Sequence, residues 1–380
     1  MSRRRGPFGR ALKNLRMAVK NPVIEGLCAF AAAGLDRRLR AADDLAADPP
    51  RHILVIRTDR IGDLLCGTPL IAALRRRWPE SRITLVGGPR NRGVMPLLPY
   101  VTRAPVEFAR HPLSWARLRA WLPRQGFDFA VSLRSEVMSG ALIAAWSRAR
   151  VRAAVHAVRT LPAFNLVLAP HERHQVRRYW LAATALGVTW PEERPVIEIP
   201  VEHDARGRAV VEGLGPPDGR PLVGVGVPNR ADGKHRIKAW PPATLEAFVR
   251  ALSDAGARVL LFGVGPERVE AGRIAARVPG VAVSPALPLA SVAAVQKRLD
   301  LFVASFTGTL HLADGAGTAT VAIGLPGQCA DWRPLGPRHR ALAAPRVPDI
   351  PVAAALAACR EALGGRLGEG AGLPGPAARG

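Results

Sequence analysis

Short apolar segments alternate with helical segments along two successive parts of the chain, and this alternation restricts the fold more than any other feature. Seven apolar runs are predicted as strands: 53–56, 83–86, 127–133, 222–227, 259–262, 301–304 and 320–323. The first of them is apolar throughout and bounded by charged residues, as in a parallel strand that is buried on both faces. The pattern therefore predicts an α/β fold with parallel sheets.

The helices predicted between these strands complete two similar halves. They cover 70–78, 113–125, 137–149, 243–255, 267–277 and 290–299, and one more, at 205–214, precedes the second half. Strand–helix alternation of this kind builds βαβ units. We therefore predict two doubly wound domains, at 49–195 and 221–345, joined by a linker at 196–220.

The segments that flank these domains have a different composition. Residues 1–48 form a predicted basic helical extension, 346–363 a C-terminal helix, and 364–380 a disordered tail rich in Gly, Pro and Ala. Within the first 20 residues, four apolar side chains recur at helical spacing among seven basic residues and no acidic ones. This segment is either a helix suited to an anionic bilayer surface, a helix packed on the protein, or a frayed basic tail.

The chain carries a formal net charge of +24, with 54 Lys and Arg against 30 Asp and Glu. Because 49 of the 54 are Arg, a GC-rich genome is one explanation of this charge. The other is an anionic partner, which is a lipid or a phosphorylated glycan rather than nucleic acid, since no nucleic-acid-binding motif is present. The four cysteines are isolated, which disfavours disulfides or a structural metal and fits a reducing compartment.

The first predicted strand runs directly into a turn and a helix. Residues 53–65 read Ile-Leu-Val-Ile-Arg-Thr-Asp-Arg-Ile-Gly-Asp-Leu-Leu, so Gly62 and Asp63 follow the carboxyl end of a buried strand. Ligands of open α/β sheets bind at that edge, which makes Asp63 a candidate general base for a hydroxyl. The local pattern alone favours a helix cap instead. Thr68-Pro69 is an alternative start for the same helix.

Three further motifs lie in the second half. Lys238 is followed by Ala-Trp-Pro and a helix, where a cation suits a phosphate; the alternative is a solvated basic loop. Glu267 opens a helix after Phe-Gly-Val-Gly-Pro, although the third glycine of a dinucleotide fingerprint is missing. Thr307, Gly308 and Thr309 begin another helix and offer an anion-binding site. With no Walker A motif and no complete fingerprint, a kinase or a dehydrogenase is disfavoured.

Together these motifs resemble glycosyltransferase family 9, the ADP-heptose:lipopolysaccharide heptosyltransferases, over roughly residues 52–345. The resemblance rests on Arg60-Ile-Gly-Asp-Leu-Leu with Thr68-Pro69, Lys238-Ala-Trp-Pro, Phe-Gly-x-x-x-Glu267, Thr307-Gly-x-x-His311-Leu-Ala, Thr318-Ala-Thr-Val-Ala-Ile-Gly and Trp332-Arg-Pro. It implies a GT-B fold, in which two facing Rossmann-like domains enclose a central cleft. The N-terminal domain would bind the acceptor, and the C-terminal domain would bind the nucleotide sugar.

The resemblance also implies an inverting glycosyltransferase that moves heptose from ADP-heptose by direct displacement. Asp63 would be the general base, and Lys238 would neutralise the departing diphosphate. The residues implied to bind the donor are Glu267, Thr307, Gly308, Thr309 and His311. The local sequence alone favours a buried structural role for His311. No metal or other cofactor is expected, because Lys238 and a helix dipole replace the metal's charge.

The acceptor that this family implies is an anionic lipid-linked glycan of the lipopolysaccharide type. The candidate acceptor-binding residues lie on or just after the first strands: Arg57, Arg60, Gly62, Arg90 and Arg92. Each arginine taken alone fits a solvent-facing position equally well. A lipid-linked acceptor and the basic N-terminus together predict a cytoplasmic protein held peripherally at the inner face of the cytoplasmic membrane.

One residue departs from the family pattern. The family has an acidic residue before Thr307-Gly308 that contacts the donor sugar, and here that residue is Phe306. A phenyl ring cannot accept hydrogen bonds from a sugar. Either the donor sugar differs from a standard heptose, or another group takes over, or the chain is a catalytically inactive family member that binds nucleotide or glycan at the membrane.

Overall fold

The computed structural model describes residues 26–36, 38, 40–109, 111–134, 138–155, 162–168, 172–188, 193–228 and 237–368. Over these residues the chain forms two domains, and each is built on a six-stranded parallel sheet with helices on both faces. The predicted α/β fold with two parallel-sheet domains is confirmed. The amphipathic helix predicted within residues 1–20 and the predicted tail beyond residue 368 lie outside the described residues.

The N-terminal sheet reverses its strand order at one point. Its strands are β1 (His52–Ile56), β2 (Arg82–Val86), β3 (Thr102–Arg103), β4 (Phe129–Ser132), β5 (Val151–Ala154) and β6 (Leu166–Val167). They follow the order β3-β2-β1-β4-β5-β6, so that β1 pairs with both β2 and β4. Ligands of doubly wound sheets bind at the carboxyl ends of the strands beside such a switch point.

Helices cover both faces of this sheet. They are α1 (Ala42–Ala47), α2 (Ile61–Arg77), α3 (Pro112–Trp121), α4 (Met138–Trp146) and α5 (Gln175–Ala185). Because side chains alternate along a strand, Ile53 and Val55 of β1 pack with α2 and α5 on one face. Leu54 and Ile56 pack on the other face with α3, α4 and the helical residues 26–31.

The C-terminal sheet repeats this arrangement. Its strands are β7 (Leu222–Gly226), β8 (Arg258–Phe262), β9 (Val281–Val283), β10 (Leu301–Ser305), β11 (Thr320–Gly324) and β12 (His339–Ala343). Their order is β12-β11-β10-β7-β8-β9, which places the switch point between β7 and β10. Each domain therefore has its own expected ligand-binding edge.

The helices of the second half extend beyond the predicted domain limits. They are α6 (Val201–Glu212), α7 (Pro242–Asp254), α8 (Pro266–Arg277), α9 (Leu289–Gln296), α10 (Gly308–Gly315), α11 (Pro326–Trp332) and α12 (Val352–Ala362). Helix α6 lies within the predicted linker, and its Gly207 packs directly on Ala294 of α9. Helix α12 covers the same core as α7. No helix among the described residues is both long and apolar enough to cross a bilayer.

Helix α2 begins at Ile61, nine residues before the segment 70–78 that was predicted as helical. Of the two starts that the sequence left open, the structure has the one at Asp63 and not the one at Thr68-Pro69. Pro69 lies inside the helix and has no N–H to donate to the carbonyl of Leu65 four residues earlier. The Thr68 hydroxyl donates to that carbonyl instead, at 2.7 Å. Thr68-Pro69 therefore lies inside the helix and does not cap it. Gly62 and Asp63 lie in the first turn.

Candidate active site between the two domains

Asp63 lies in the first turn of α2, beside the N-terminal switch point. Its Oδ2 accepts a hydrogen bond from the backbone N–H of Arg60 at 3.3 Å, so the carboxylate does cap the helix. Its Oδ1 lies 3.1 Å from Nη2 of Arg57, and 18% of the side chain is exposed. The same carboxylate is thus a cap, one half of an ion pair, and partly open to the cleft. The two interpretations of Asp63, as cap and as base, are compatible.

The guanidinium of Arg57 is almost completely buried, with 3% of the side chain exposed. Besides Asp63, it donates to Asp59 Oδ1 at 2.7 Å, to the carbonyl of Leu133 at 2.5 Å, and to the Tyr179 hydroxyl. Burial opposes its charge, but Tyr179, Asp59 and Asp63 outweigh that effect and keep the pKa of Arg57 above its ordinary value. The sequence predicted Arg57 as an acceptor-binding residue. Because its donors are already occupied inside the protein, we correct this: Arg57 holds Asp63 in place.

A second carboxylate, Asp59, shares the same guanidinium and was not predicted as a site residue. It also accepts from Nη1 of Arg134 at 3.1 Å, and Arg134 follows β4 on the other side of the switch point. Burial raises the pKa of Asp59, although Arg57 opposes that shift. Tyr179, the residue behind Arg57, comes from α5 more than a hundred positions along the chain. No local sequence signal marks either residue.

The C-terminal domain contributes the start of α10, which follows β10 at the second switch point. Thr307 is the N-cap, and none of the described side chains caps this helix. The hydroxyls of Thr307 and Thr309 lie 2.9 Å apart and bond to each other. Uncapped N–H groups at a helix start carry partial positive charge and bind anions. The predicted anion-binding trio of Thr307, Gly308 and Thr309 is therefore grouped at one uncapped helix terminus.

The starts of α2 and α10 pack against each other across the domain boundary, and glycines make this possible. A Cβ on Gly62 would lie 3.0 Å from His311 Cδ2 and 3.4 Å from Gly308 Cα. A Cβ on Gly308 would in turn lie 3.0 Å from Ile61 Cγ2. Gly62, predicted to meet the acceptor, thus also sets the distance between the domains. Two positive helix ends meet beside the Asp63 carboxylate, which is an arrangement suited to anionic ligands.

His311 is buried at this contact, with 3% of the residue exposed. Its Nδ1 lies 3.6 Å from Cys66 Sγ, and its ring centroid lies 5.9 Å from that of Trp332. Burial, with a smaller contribution from His174, lowers the pKa of His311 to about 4, so the ring is neutral at pH 7. This burial fits the structural interpretation of His311, and its role in binding the donor stays a prediction.

The other predicted donor residues lie along the carboxyl edge of the C-terminal sheet. Lys238 is partly exposed in the turn before α7, next to Trp240, whose Nε1 donates to the carbonyl of Ile350 at 3.0 Å. Glu267 lies in the first turn of α8, after Gly265 with a φ of 56°, a conformation that favours glycine. The ends of β7, β10 and β11 border a cleft in this region.

The remaining candidates are three exposed arginines and Phe306, the residue that departs from the family pattern. Arg60, Arg90 and Arg92 are exposed beside the carboxyl ends of β1 and β2, and their positions fit either an acceptor or solvent. Phe306 packs its ring tightly over Gly324, at the end of β11, and joins an apolar cluster. Among the described residues, no group of three or more His, Cys, Asp and Glu could hold a metal ion.

The family model described as glycosyltransferase family 9 (heptosyltransferase) matches residues 115–352. A solved glycosyl transferase of family 9 from Veillonella parvula DSM 2008 is 20% identical, with a TM-score of 0.70 over 82% of this chain and 97% of that chain. E. coli ADP-heptose lps heptosyltransferase II is 19% identical, with a TM-score of 0.65 over 82% and 98%. E. coli heptosyltransferase WaaC with ADP-2-deoxy-2-fluoro heptose is 21% identical, with a TM-score of 0.64 over 82% and 99%. No curated protein matches the sequence. The structural likeness confirms the predicted GT-B fold.

Proposed function

Because the chain belongs to glycosyltransferase family 9, we propose that it transfers a heptosyl residue from ADP-heptose to an anionic, lipid-linked glycan. The observation that carries this proposal is the meeting of two helix starts beside a partly exposed carboxylate, at the switch points of both domains. The solved relatives that are named for ADP-heptose and for heptosyltransferase activity support the choice of donor.

The proposed reaction is a direct displacement with inversion at the anomeric carbon. Asp63 Oδ2 takes the proton of the acceptor hydroxyl as the acceptor oxygen forms its bond to that carbon. The bond from the same carbon to the diphosphate oxygen breaks, and ADP leaves with the electron pair. Arg57 holds the other carboxylate oxygen at 3.1 Å and so fixes the direction in which the base points.

The departing diphosphate needs positive charge where its own charge develops. The uncapped N–H groups at the start of α10 supply part of it, and the Lys238 side chain supplies the rest. Glu267, in the first turn of α8, is proposed to bind the ribose or adenine end of ADP. On this proposal, transfer proceeds without a metal ion, and EDTA leaves the rate unchanged.

Calorimetric titration of the full-length protein tests the donor site. We expect ADP and ADP-heptose to bind and UDP to bind more weakly. Lys238→Ala should weaken ADP binding by about tenfold or more, because a charge-assisted hydrogen bond contributes roughly 1.5–3 kcal/mol. Lys297→Ala is the matched control, since Lys297 is also in the C-terminal domain but pairs with Asp204 on α6. A preference for UDP, or equal losses in both variants, would contradict the proposal.

The base is tested by two neighbouring carboxylates that share Arg57. Asp63→Asn should lower the rate of ADP release from ADP-heptose, with lipopolysaccharide as the acceptor, by about 10²–10⁴-fold, the usual size of a general-base effect. Asp59→Asn should lower it much less, because Asp59 faces Arg57 and Arg134. Both variants should keep ADP affinity. The assignment fails if Asp59→Asn is the more damaging change.

Phe306 favours a second candidate function, that of an inactive family member which binds nucleotide or glycan. Its ring lies over Gly324, at the edge where the family carries a donor-binding carboxylate. Under this alternative, the full-length protein binds ADP-heptose but releases no ADP with any lipopolysaccharide acceptor tested. Release of ADP that Asp63→Asn abolishes would exclude the alternative.

A further inference from the structure

One helical layer of the N-terminal domain exposes large apolar side chains to solvent. This outer layer consists of residues 26–31, α3 and α4, which cover the sheet face opposite α2 and α5. Phe30 is 77% exposed, Leu113 58% and Leu27 46%. Three of the eight large apolar side chains that are exposed among the described residues thus belong to this one layer. An exposed apolar patch is typical of an interaction surface.

The same layer is strongly basic. Residues 108–127 contain four arginines and no Asp or Glu. Arg117 and Arg119, on α3, are exposed, and neither forms an ion pair with any residue that the structure describes. Leu113 and Arg117 are four residues apart, so they share one face of α3. An apolar residue and a cation on one exposed helix face match the interfacial zone of an anionic bilayer.

Two features support a lipid surface over another occupant. Trp115 and Trp121 are half-buried at the base of α3, and Trp115 makes edge contacts with Phe108 and Trp146 at 5.1 and 5.6 Å. Tryptophan is enriched where protein meets lipid headgroups. In addition, the chain enters this layer directly from residues 1–25, whose first 20 carry seven basic residues and no acidic ones. A basic sequence thus precedes this layer in the chain.

The layer adjoins the region proposed to hold the acceptor. The N–H of Phe108 donates to the carbonyl of Gly87 at 2.9 Å, at the carboxyl end of β2. A Cβ on Gly88 would lie 2.9 Å from the carbonyl oxygen of Thr58 and 3.2 Å from that of Phe108. The segment that leads into α3 and the loop between β1 and Asp63 therefore both pack on Gly88. A surface lying on α3 would bring its lipids close to the candidate base.

We propose that the outer layer is a membrane-docking face, with α3 lying on an anionic bilayer and Leu113 and Phe30 inserted among the headgroups. Only the purpose of this face, which is to present a lipid-linked acceptor to Asp63, rests on the proposed function. The docking face itself requires neither donor nor acceptor. It differs from anchoring by the first 20 residues alone, because it assigns part of the affinity to the folded domain.

The test is co-sedimentation of the full-length protein with vesicles of phosphatidylglycerol or of phosphatidylcholine. Wild-type protein should partition onto phosphatidylglycerol, and added salt should weaken that partition. The double variant Leu113→Asp/Arg117→Glu should lower the partition coefficient by about tenfold or more, since each cation near the surface contributes roughly a factor of five. The matched control, Val201→Asp/Arg206→Glu, makes the same changes at exposed positions of α6 and should partition like wild type.

Binding that is equal on both lipids, or equal in the two double variants, overturns the docking face. ADP affinity of the α3 variant, measured by calorimetry, should match wild type and so shows that the variant is folded. If vesicles bind as expected but no nucleotide binds to wild type, the proposed transferase function fails while the docking face stands. If wild-type protein binds nucleotide but not vesicles, the docking face fails while the proposed transferase function stands.

Discussion

A single buried guanidinium, that of Arg57, holds the carboxylate that we propose as the base. A buried cation is strongly unfavourable unless it is fully paired, and Arg57 meets this need with Asp59, Asp63, Leu133 and Tyr179. The positions of these four partners are therefore fixed together. Because the buried charge of Arg57 must be paired, Asp63 is held in one orientation. The site is therefore preorganised before any ligand binds.

Tyr179→Phe tests this dependence at the scale of one atom. The Tyr179 hydroxyl accepts from Arg57 and donates to the carbonyl of Leu133 at 2.6 Å. Its removal leaves a buried charge with one partner fewer, so we expect a loss of about 1–3 kcal/mol in the free energy of unfolding. The measurement is urea denaturation at pH 7. The rate of transfer should also fall, because Arg57 becomes less constrained.

Tyr100→Phe is the matched control for that variant. The Tyr100 hydroxyl is buried and has no hydrogen-bond partner among the described residues. Burial raises the pKa of Tyr100 to about 12; the charge of Glu198 adds to this shift and that of Arg75 opposes it. Burial also raises the pKa of Tyr179 to about 12. Removing an unpaired buried hydroxyl should leave stability unchanged or slightly higher. Equal losses in both variants would show that Tyr179 contributes packing only.

At the scale of elements, α2 shows how tertiary context replaces a local signal. Pro69 reads as a helix start, because proline is favoured in the first turn and breaks helices elsewhere. The helix nevertheless continues through it, because Thr68 bonds the carbonyl of Leu65 that Pro69 leaves open. The Thr68 oxygen also accepts from the N–H of Val196 at 2.7 Å, in the segment between the domains. The Thr68 hydroxyl thus satisfies the open carbonyl in the helix and also binds the segment between the domains.

Thr68→Val should therefore destabilise the protein although it conserves volume. The substitution removes a buried hydroxyl that has two partners and leaves the Leu65 carbonyl and the Val196 N–H unpaired, so we expect a loss of about 2–4 kcal/mol by thermal or urea unfolding. Thr184→Val, on α5, is the control: its hydroxyl bonds Trp180 O at 3.2 Å on an exposed face. That change should cost less than about 0.5 kcal/mol.

The sequence predicted those elements that carry their own pattern. All seven predicted strands are present within two residues of their predicted ends, because each is a buried apolar run. The missed strands are short or poorly apolar, such as β3 with two residues and β12, whose half-exposed residues include His339 and Arg340. Helix α5 was missed although most of its residues are apolar and it packs in the core with α2. Their pairing partners, which lie far away in sequence, determine these elements.

The site divides in the same way. Asp63 and Thr307–Thr309 were found because each follows an apolar strand and begins a helix, a relation that is visible within a dozen residues. Asp59 and Tyr179 were not found, because their importance comes from sharing Arg57 with Asp63, a three-dimensional relation. Arg57 was assigned to the acceptor because its exposure cannot be read from an arginine-rich sequence.

Gly62→Ala separates helix propensity from the approach of α2 to α10. Alanine is the better helix former, but its Cβ would meet His311 Cδ2 at 3.0 Å and Gly308 Cα at 3.4 Å. We expect the two helix starts to move apart and the rate of transfer to fall by about tenfold or more, since displacements of an ångström can cost a hundredfold. Gly272→Ala, on α8, has open space around its Cβ and should instead raise stability by about 0.5–1 kcal/mol with unchanged activity.

At the scale of the whole molecule, two buried imidazoles lie where the two domains meet. His174 Nε2 bonds the carbonyl of Arg333 at 2.8 Å, and its neighbour Arg173 pairs with Asp331 across the same boundary. His311 lies buried between α2 and Trp332. Burial lowers the pKa of His174 as well as that of His311. Protonation of these rings would place charge inside the boundary between the domains.

This coupling predicts that acid weakens the protein through His311. Its pKa is about 4 when folded and about 6.5 when unfolded, so the unfolded chain binds more protons between those values and stability falls as the pH falls through that window. From pH 7 to pH 5 the contribution of His311 is about 2 kcal/mol. His311→Gln should therefore show a smaller drop in unfolding free energy over that interval than wild type, by about that amount, whatever its stability at pH 7. If the His311 variant loses as much stability between pH 7 and pH 5 as wild type does, a neutral ring is not what the domain boundary requires.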